Sequence, residues 1–279
     1  MTVNNAAYQP YRGPLTARWS RFFILPRYAL RETFKSKVFI NFFAACFLPI
    51  LFFAAMIYMQ NFPGIRKILS LNTEQVMLVS TQFFLYFLMT QSVAAYGIAL
   101  VAGPGLITAD LDNNALPLYL ARPISRLDYI LGKMLLLAFM LSLITWIPGL
   151  MLFFMHGYFT GGTWLLEHLR LGLAIFLGFA VLIIMLTLIV ATLSIWLRSK
   201  AGVGVAFLAG PLILSAFSLM VTFGHISFVV DLFFAVWSQI FRVEYVGLSP
   251  RFAWLTFALI TVTCVVIIRR KLHAFEVVT

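Results

Sequence analysis

Acidic side chains are scarce in this chain, which has nine Asp and Glu against twenty Lys and Arg in 279 residues. Charged residues of either sign make up 10%, hydrophobic residues make up 62%, and the mean hydropathy is +0.99. So little charge excludes a soluble globular domain and leaves a polytopic, all-α membrane protein. There are two cysteines, Cys46 and Cys264, each inside an apolar run. Neither has metal-ligand spacing, which argues against a zinc site or a disulfide framework. His156, His168, His225 and His273 are scattered, without the pairing a ligand set needs, and read as surface or interface residues. A phosphate-binding loop is missing too. Gly132-Lys133 is followed by Met134, and Leu127 stands where the first glycine would be. Any ATP hydrolysis therefore belongs to another chain, and this one is read as no enzyme. The excess of bases does not imply nucleic acid, because they sit at the ends of apolar runs as membrane flanks do. No ionisable residue falls at the centre of an apolar run, which argues against a proton-driven antiporter.

What remains is a succession of apolar runs. The first covers about Val38 to Met59, enough for a hydrocarbon core of ~30 Å at ~1.5 Å per residue. Gln75 to Ala109 carries no charge, far more than one crossing requires, so this helix is expected to break at Gly103-Pro104-Gly105. A third runs from Arg126 to Tyr158 with a kink at Pro148, and Gly161-Gly162 marks the following turn. Leu171–Leu197, Gly202–Phe223 and Phe252–Ile268 complete six crossings, with Arg198-Ser199-Lys200 as a tight turn. The apolar segment from Ile226 to Phe241 contains Asp231 and is short for a crossing, which favours a re-entrant or interfacial helix over a seventh span.

Charge sets the expected orientation. Seven bases precede the first run, and Arg122, Arg126, Lys133, Arg198, Lys200, Arg269, Arg270 and Lys271 join them on one side. The other side holds only Arg66, Lys67, Arg170, Arg242 and Arg251. The basic side is read as cytoplasmic, with both termini there. Residues 1–37 form a tail and a basic interfacial helix, in which Arg27, Arg31 and Lys35 flank Leu30, Phe34 and Val38. Residues 38–279 form the six-helix membrane domain.

One polar island, 103–133, interrupts the lipid-facing sequence. Asp110 to Asn114 suits a turn or a helix start. Leu116, Leu118, Tyr119 and Leu120 form a short apolar block outside the bilayer. Pro123 ends it and restrains Arg122 to an extended shape. Ser125 has the spacing of an N-cap, with Asp128 three residues on, so the next helix should start near Arg126. The island thus reads as a short, partly apolar helix held between two membrane helices.

An acidic residue, Asn114-Ala115-Leu116, Leu120, Pro123, Ser125-Arg126 and then Leu131-Gly132-Lys133 resemble the loop after the second membrane helix of ABC-2 type transporter permeases. Where that family commonly has Gly-Thr, this chain has Asn114-Ala115. The resemblance implies a coupling helix that docks on a separate ATP-binding cassette subunit. Asp110, Asp112, Asn114, Leu116, Tyr119, Leu120, Arg122, Pro123, Ser125 and Arg126 would form the docking set. It implies re-entrant helices between the fifth and sixth crossings, and a homo- or heterodimer of permease chains in the bacterial inner membrane. ATP and Mg would lie on the partner, with no cofactor bound here. The function so implied is export across the membrane.

Other readings stand beside this one. The pair Asp110 and Asp112 near the membrane suggests a CDP-alcohol phosphotransferase, but one residue separates them, no Asp-Gly follows, and the later aspartate pair is missing. A membrane-assembly subunit with the same fold, without transport, is the third reading. The second helix is the richest in polar residues. Gln82, Tyr86 and Thr90 recur at i, i+4 and i+8 and are read as the substrate path. Gln91, on the opposite face at 100° per residue, is read as a helix-packing hydrogen bonder. Ordinary helix packing of both stripes remains the plain alternative.

Overall fold

The structure, a computed structural model, describes residues 29–62, 64, 78–112, 126–197, 199–221 and 228–274. They are mostly helical, and no strand occurs among them. The longer elements are α1 (Lys37–Ala45), α2 (Leu48–Asn61), α3 (Thr81–Asp112), α4 (Arg126–Ile144), α5 (Trp146–Thr160), α6 (Gly162–Glu167), α7 (Leu169–Leu197), α8 (Lys200–Val221), α9 (Phe228–Phe241) and α10 (Pro250–Ala274). Six segments are long and apolar enough to cross a membrane: Lys37–Asn61, Thr81–Leu106, Tyr129–Thr160, Leu169–Leu197, Lys200–Val221 and Pro250–Lys271. With no water in the hydrocarbon layer, helices satisfy every backbone group internally, which is why the apolar runs fold this way.

Local sequence explains the interruptions. Ser36 caps α1, its hydroxyl accepting from Phe39 N–H. The first span breaks at Cys46-Phe47, and Pro49 sits at the start of α2, where its missing N–H costs nothing. In the third span the chain leaves helical geometry at Thr145, three residues before Pro148. That is the expected kink: proline at 148 cannot bond back to residue 144, so the ladder opens there. Gly161 turns at φ 105°, a conformation that glycine adopts without strain.

Gly103-Pro104-Gly105 does not break the second crossing. α3 continues as one helix through Pro104 to Asp112. The reason is packing. A Cβ on Gly103 would stand 2.6 Å from Val190 Cγ1, so the glycine allows α3 to lie directly against α7. Thr108 Oγ1 donates back to the Pro104 carbonyl, which keeps this hydroxyl satisfied within the helix. Asp110 and Asp112 accordingly lie within α3 rather than in a turn.

The most buried span is α7 and the least buried is α8. α7 packs against α3, α4, α5, α8, α9 and α10. Its crossing with α3 is close because Gly178 leaves room for Leu88. Around it, Phe53, Phe83, Phe84, Phe87, Phe153 and Phe179 interlock edge to face, with ring centroids 5.0–6.3 Å apart. In lipid the hydrophobic effect adds little between helices, so such dispersion contacts carry the association. At the end of the bundle where the second and third crossings meet the 113–125 loop lie Asp112, Arg126, Leu197, Lys200 and the end of α10. We refer to it as the loop end and to the opposite end as the far end. There, Gln60 accepts a hydrogen bond from Val79 N–H at 2.8 Å, closing the first two spans together.

α9 is 14 residues long, about 21 Å at ~1.5 Å per residue and too short to cross. Trp237 Nε1 donates to Gly178 O at 3.2 Å, and Arg170 Nη2 donates to Ile240 O at 3.4 Å. Leu232, Ala235 and Val236 pack with Met185, Ala253 and Phe257. α9 therefore lies alongside the far half of α7 and the first turns of α10. Of the basic N-terminal segment, residues 29–33 are helical, and Lys35 pairs with Glu32 at 2.7 Å on an exposed surface. The expected tail and the rest of the interfacial helix, within 1–28, lie outside the described residues.

Candidate functional site

The loop end is built from charges that the two flanking helices bring together. Asp110 is in the last turn of α3, while Tyr129 and Lys133 are one turn apart on the same face of α4. Lys133 Nζ lies 2.9 Å from Asp110 Oδ2. The Tyr129 hydroxyl donates to the same oxygen. The ammonium also lies 5.7 Å from the centroid of the Tyr129 ring, within range of the ring's negative face. The two charged side chains are only 9% (Lys133) and 17% (Asp110) exposed. A charge so placed is held by its partner, because an unpaired one would ionise at heavy cost.

Packing fixes this cluster from beneath. Tyr129 and Ile130 sit in a small core with Leu188, Ala191 and Ile195 of α7 and Cys264 and Ile268 of α10. Four spans thus meet around the pair. Lys200 adds a further base, its stem lying where a Cβ on Gly105 would come within 3.5 Å of Lys200 Cε. Lys200, Arg269 and Arg270 are exposed and give this end a positive rim, favourable near the C-terminal carbonyls of α3 and α10.

The arrangement ties together the two helices from which the 113–125 loop leaves and to which it returns. α3 is described as far as Asp112 and α4 from Arg126 onward; the Ser125–Asp128 capping pattern lies outside the described side chains. The side chains of Asp112 and Arg126, and all of Asn114, Leu116, Tyr119, Leu120, Arg122, Pro123 and Ser125, lie outside the described residues. Of the expected docking set, Asp110 alone has a described side chain, and it turns into the bundle toward Lys133. The reading of the sequence missed this pair. Lys133 was read as a base of the loop side and as part of Leu131-Gly132-Lys133, not as a partner of Asp110, although a base one turn inside an apolar helix was itself a signal.

The second candidate site lies on the same helix. Gln82, Tyr86 and Thr90 share one exposed face of α3, with Thr90 Oγ1 donating to Tyr86 O at 2.9 Å. Gln91 is fully buried on the other face, and its Nε2 donates to the Cys46 carbonyl at 2.9 Å. That carbonyl belongs to the break between α1 and α2, so Gln91 supplies a donor at the one place in the first span where the ladder is interrupted.

Two further placements differ from expectation or add to it. His156 is buried, not a surface residue. Its ring meets Trp164 edge-on at 4.6 Å, and Trp164 stacks on His168 at 4.4 Å. The tryptophan between them makes this a packing joint for α6. Among the described residues no group of His, Cys, Asp or Glu is arranged to hold a metal. Cys46 and Cys264 are buried free thiols. No family model matches the chain, and neither a curated protein nor a solved structure matches it.

Proposed function

We propose that this chain is the membrane-spanning subunit of an ABC-2 type exporter, driven by ATP hydrolysis on a separate subunit. The observation that carries the reading is the buried Asp110–Lys133 pair, which fixes the take-off and return of the 113–125 loop. A loop that only linked two spans would need no such anchorage. A loop that transmits force does, because displacement at its tip must move α3 and α4 as one body. Leu116, Tyr119 and Leu120 supply an apolar block for a cleft on the partner, with Arg122 and Arg126 beside it. The six crossings agree with the topology of such permeases. The short α9 before the last crossing fits a re-entrant segment, and the base-rich loop end fits the cytoplasmic side.

In this reading, nucleotide-driven closure of two ATPase subunits pushes on the loops of two permease chains, and the exposed stripe Gln82–Tyr86–Thr90 faces the substrate path between them. Engagement of Asp110 by Lys133 and Tyr129 also makes it a poor metal ligand, which weighs against a phosphotransferase.

A photocrosslinking amino acid at Tyr119 tests the docking in cells of the source organism. The expected product is a crosslink to a polypeptide carrying a Gly-x-x-x-x-Gly-Lys-Ser/Thr loop, abolished by Leu120→Asp, which would bury a charge without a partner. Crosslinks to lipid alone, or to that ATPase with undiminished yield in Leu120→Asp, would remove the docking assignment.

A further inference from the structure

At the far end, the C-terminus of α9 is finished in an unusual way. Arg242 follows the helix with φ 53°, the left-handed region where glycine is the common occupant. Val243 N–H bonds to Ser238 O at 2.9 Å and Arg242 N–H to Gln239 O at 3.4 Å, the paired closure that such a residue permits. The chain then folds back over α9. Tyr245 stacks on Phe234 at 5.8 Å, and its hydroxyl donates to the Asp231 carboxylate.

Between this return segment and the start of α10 lies an open cleft of about 450 Å³, lined by Gln239, Arg242, Glu244, Tyr245 and Arg251 among others. Three features stand out. Arg242 and Arg251 form no ion pair among the described residues, and neither does Glu244. Both signs of charge therefore face one cleft without neutralising each other. The negative end of α9 is served from outside the cleft by Arg170, which donates to Ile240 O, and only the backbone of Arg242 takes part in closing the helix. Finally, Trp254 is exposed beside the cleft and donates to Gln239 Oε1 at 2.7 Å. Tryptophan and arginine at the mouth of a membrane span mark headgroup depth.

We propose that this cleft binds the headgroup of an amine-bearing, zwitterionic phospholipid, with Arg242 and Arg251 on the phosphodiester and Glu244 on the ammonium. Guanidinium forks match phosphate oxygens bidentately. A ligand carrying both signs satisfies both sets of unpaired groups, whereas an anion alone would meet Glu244 as a repulsion. The depth of the cleft at the start of a span selects a lipid over a soluble phosphate. None of this depends on how the loop end is used.

The test is native mass spectrometry of the full chain in detergent, titrated with dihexanoyl phosphatidylethanolamine, dihexanoyl phosphatidylglycerol or inorganic phosphate. The ethanolamine lipid is expected to bind about fivefold more tightly than the glycerol lipid. Arg242→Asn with Arg251→Gln should weaken it about tenfold. Asn is chosen because it tolerates the left-handed backbone, so the fold is retained, which an unchanged melting temperature without lipid would verify. Glu244→Gln should erase the preference for the amine while keeping lipid binding. The proposal fails if the double variant binds like the wild type, if the glycerol lipid binds as well or better, or if inorganic phosphate competes at equal concentration.

Discussion

The two ends of the bundle handle charge in opposite ways. At the loop end, Asp110 and Lys133 are paired largely out of water, and the Tyr129 hydroxyl donates to the same Asp110 oxygen. At the far end, Arg242, Glu244 and Arg251 face one open cleft, with no ion pair among the described residues. A buried pair is committed to the fold, because removing one partner strands the other. Exposed, unpaired groups contribute little to stability and are free for a ligand. The difference teaches where mutation should disturb folding and where it should disturb binding alone.

The largest effect is expected from Lys133→Ala. It leaves the Asp110 carboxylate largely out of water and should cost about 3–5 kcal/mol, read as unfolding in detergent. Changing Arg242 and Arg251 together should stay within about 0.5 kcal/mol of the wild type. If the far-end variant were the more destabilised of the two, the contrast between the ends would be broken.

A smaller effect should come from the middle of the bundle. Gln91→Ala removes the donor to the Cys46 carbonyl and should lower stability by about 1 kcal/mol. Gln82→Ala, on the exposed stripe, should leave stability unchanged while altering export. Thermal melts beside a transport assay decide this, and the reverse pattern would assign the path to the wrong face.

The smallest effect is a pH dependence at the far end. Burial, and then the hydrogen bond and charge of Asp231, push the Tyr245 hydroxyl well above the ordinary tyrosine range. Below about pH 10 both folded and unfolded chains keep this proton, and its contribution to stability is constant. Above that, the unfolded chain releases it first, so stability falls as pH rises until the folded group ionises. Tyr245→Phe should flatten this part of the alkaline slope in melts between about pH 9 and 11. An identical slope in both proteins would mean that the Tyr245 hydroxyl is neither buried nor bonded to Asp231 in solution.

Much of the fold could be read from local chemistry. Gly161-Gly162 located the turn before α6, and length alone set Ile226 to Phe241 apart from the crossings. The helical period also separated Gln91 from Gln82, Tyr86 and Thr90, because that relation lies within one helix. What escaped depends on neighbours. Gly103-Pro104-Gly105 looks like a break in isolation, but Val190 of α7 and Lys200 of α8 fill the space that the glycines leave and the helix continues. Asp110 and Lys133 are separated by the loop, and their meeting depends on how two helices rotate against each other. No spacing rule encodes that rotation. His156 escaped likewise, since its burial depends on Trp164 of the following short helix.

The claim that one end is locked by its own ion pair meets its most direct test in a double-mutant cycle. Asp110→Asn, Lys133→Met and the double variant would be unfolded in detergent beside the wild type. Each single change should be strongly destabilising, and the double variant should recover most of the loss, with a coupling of about 2 kcal/mol or more. Losses that simply add would contradict the pair, and with it the anchorage of the loop.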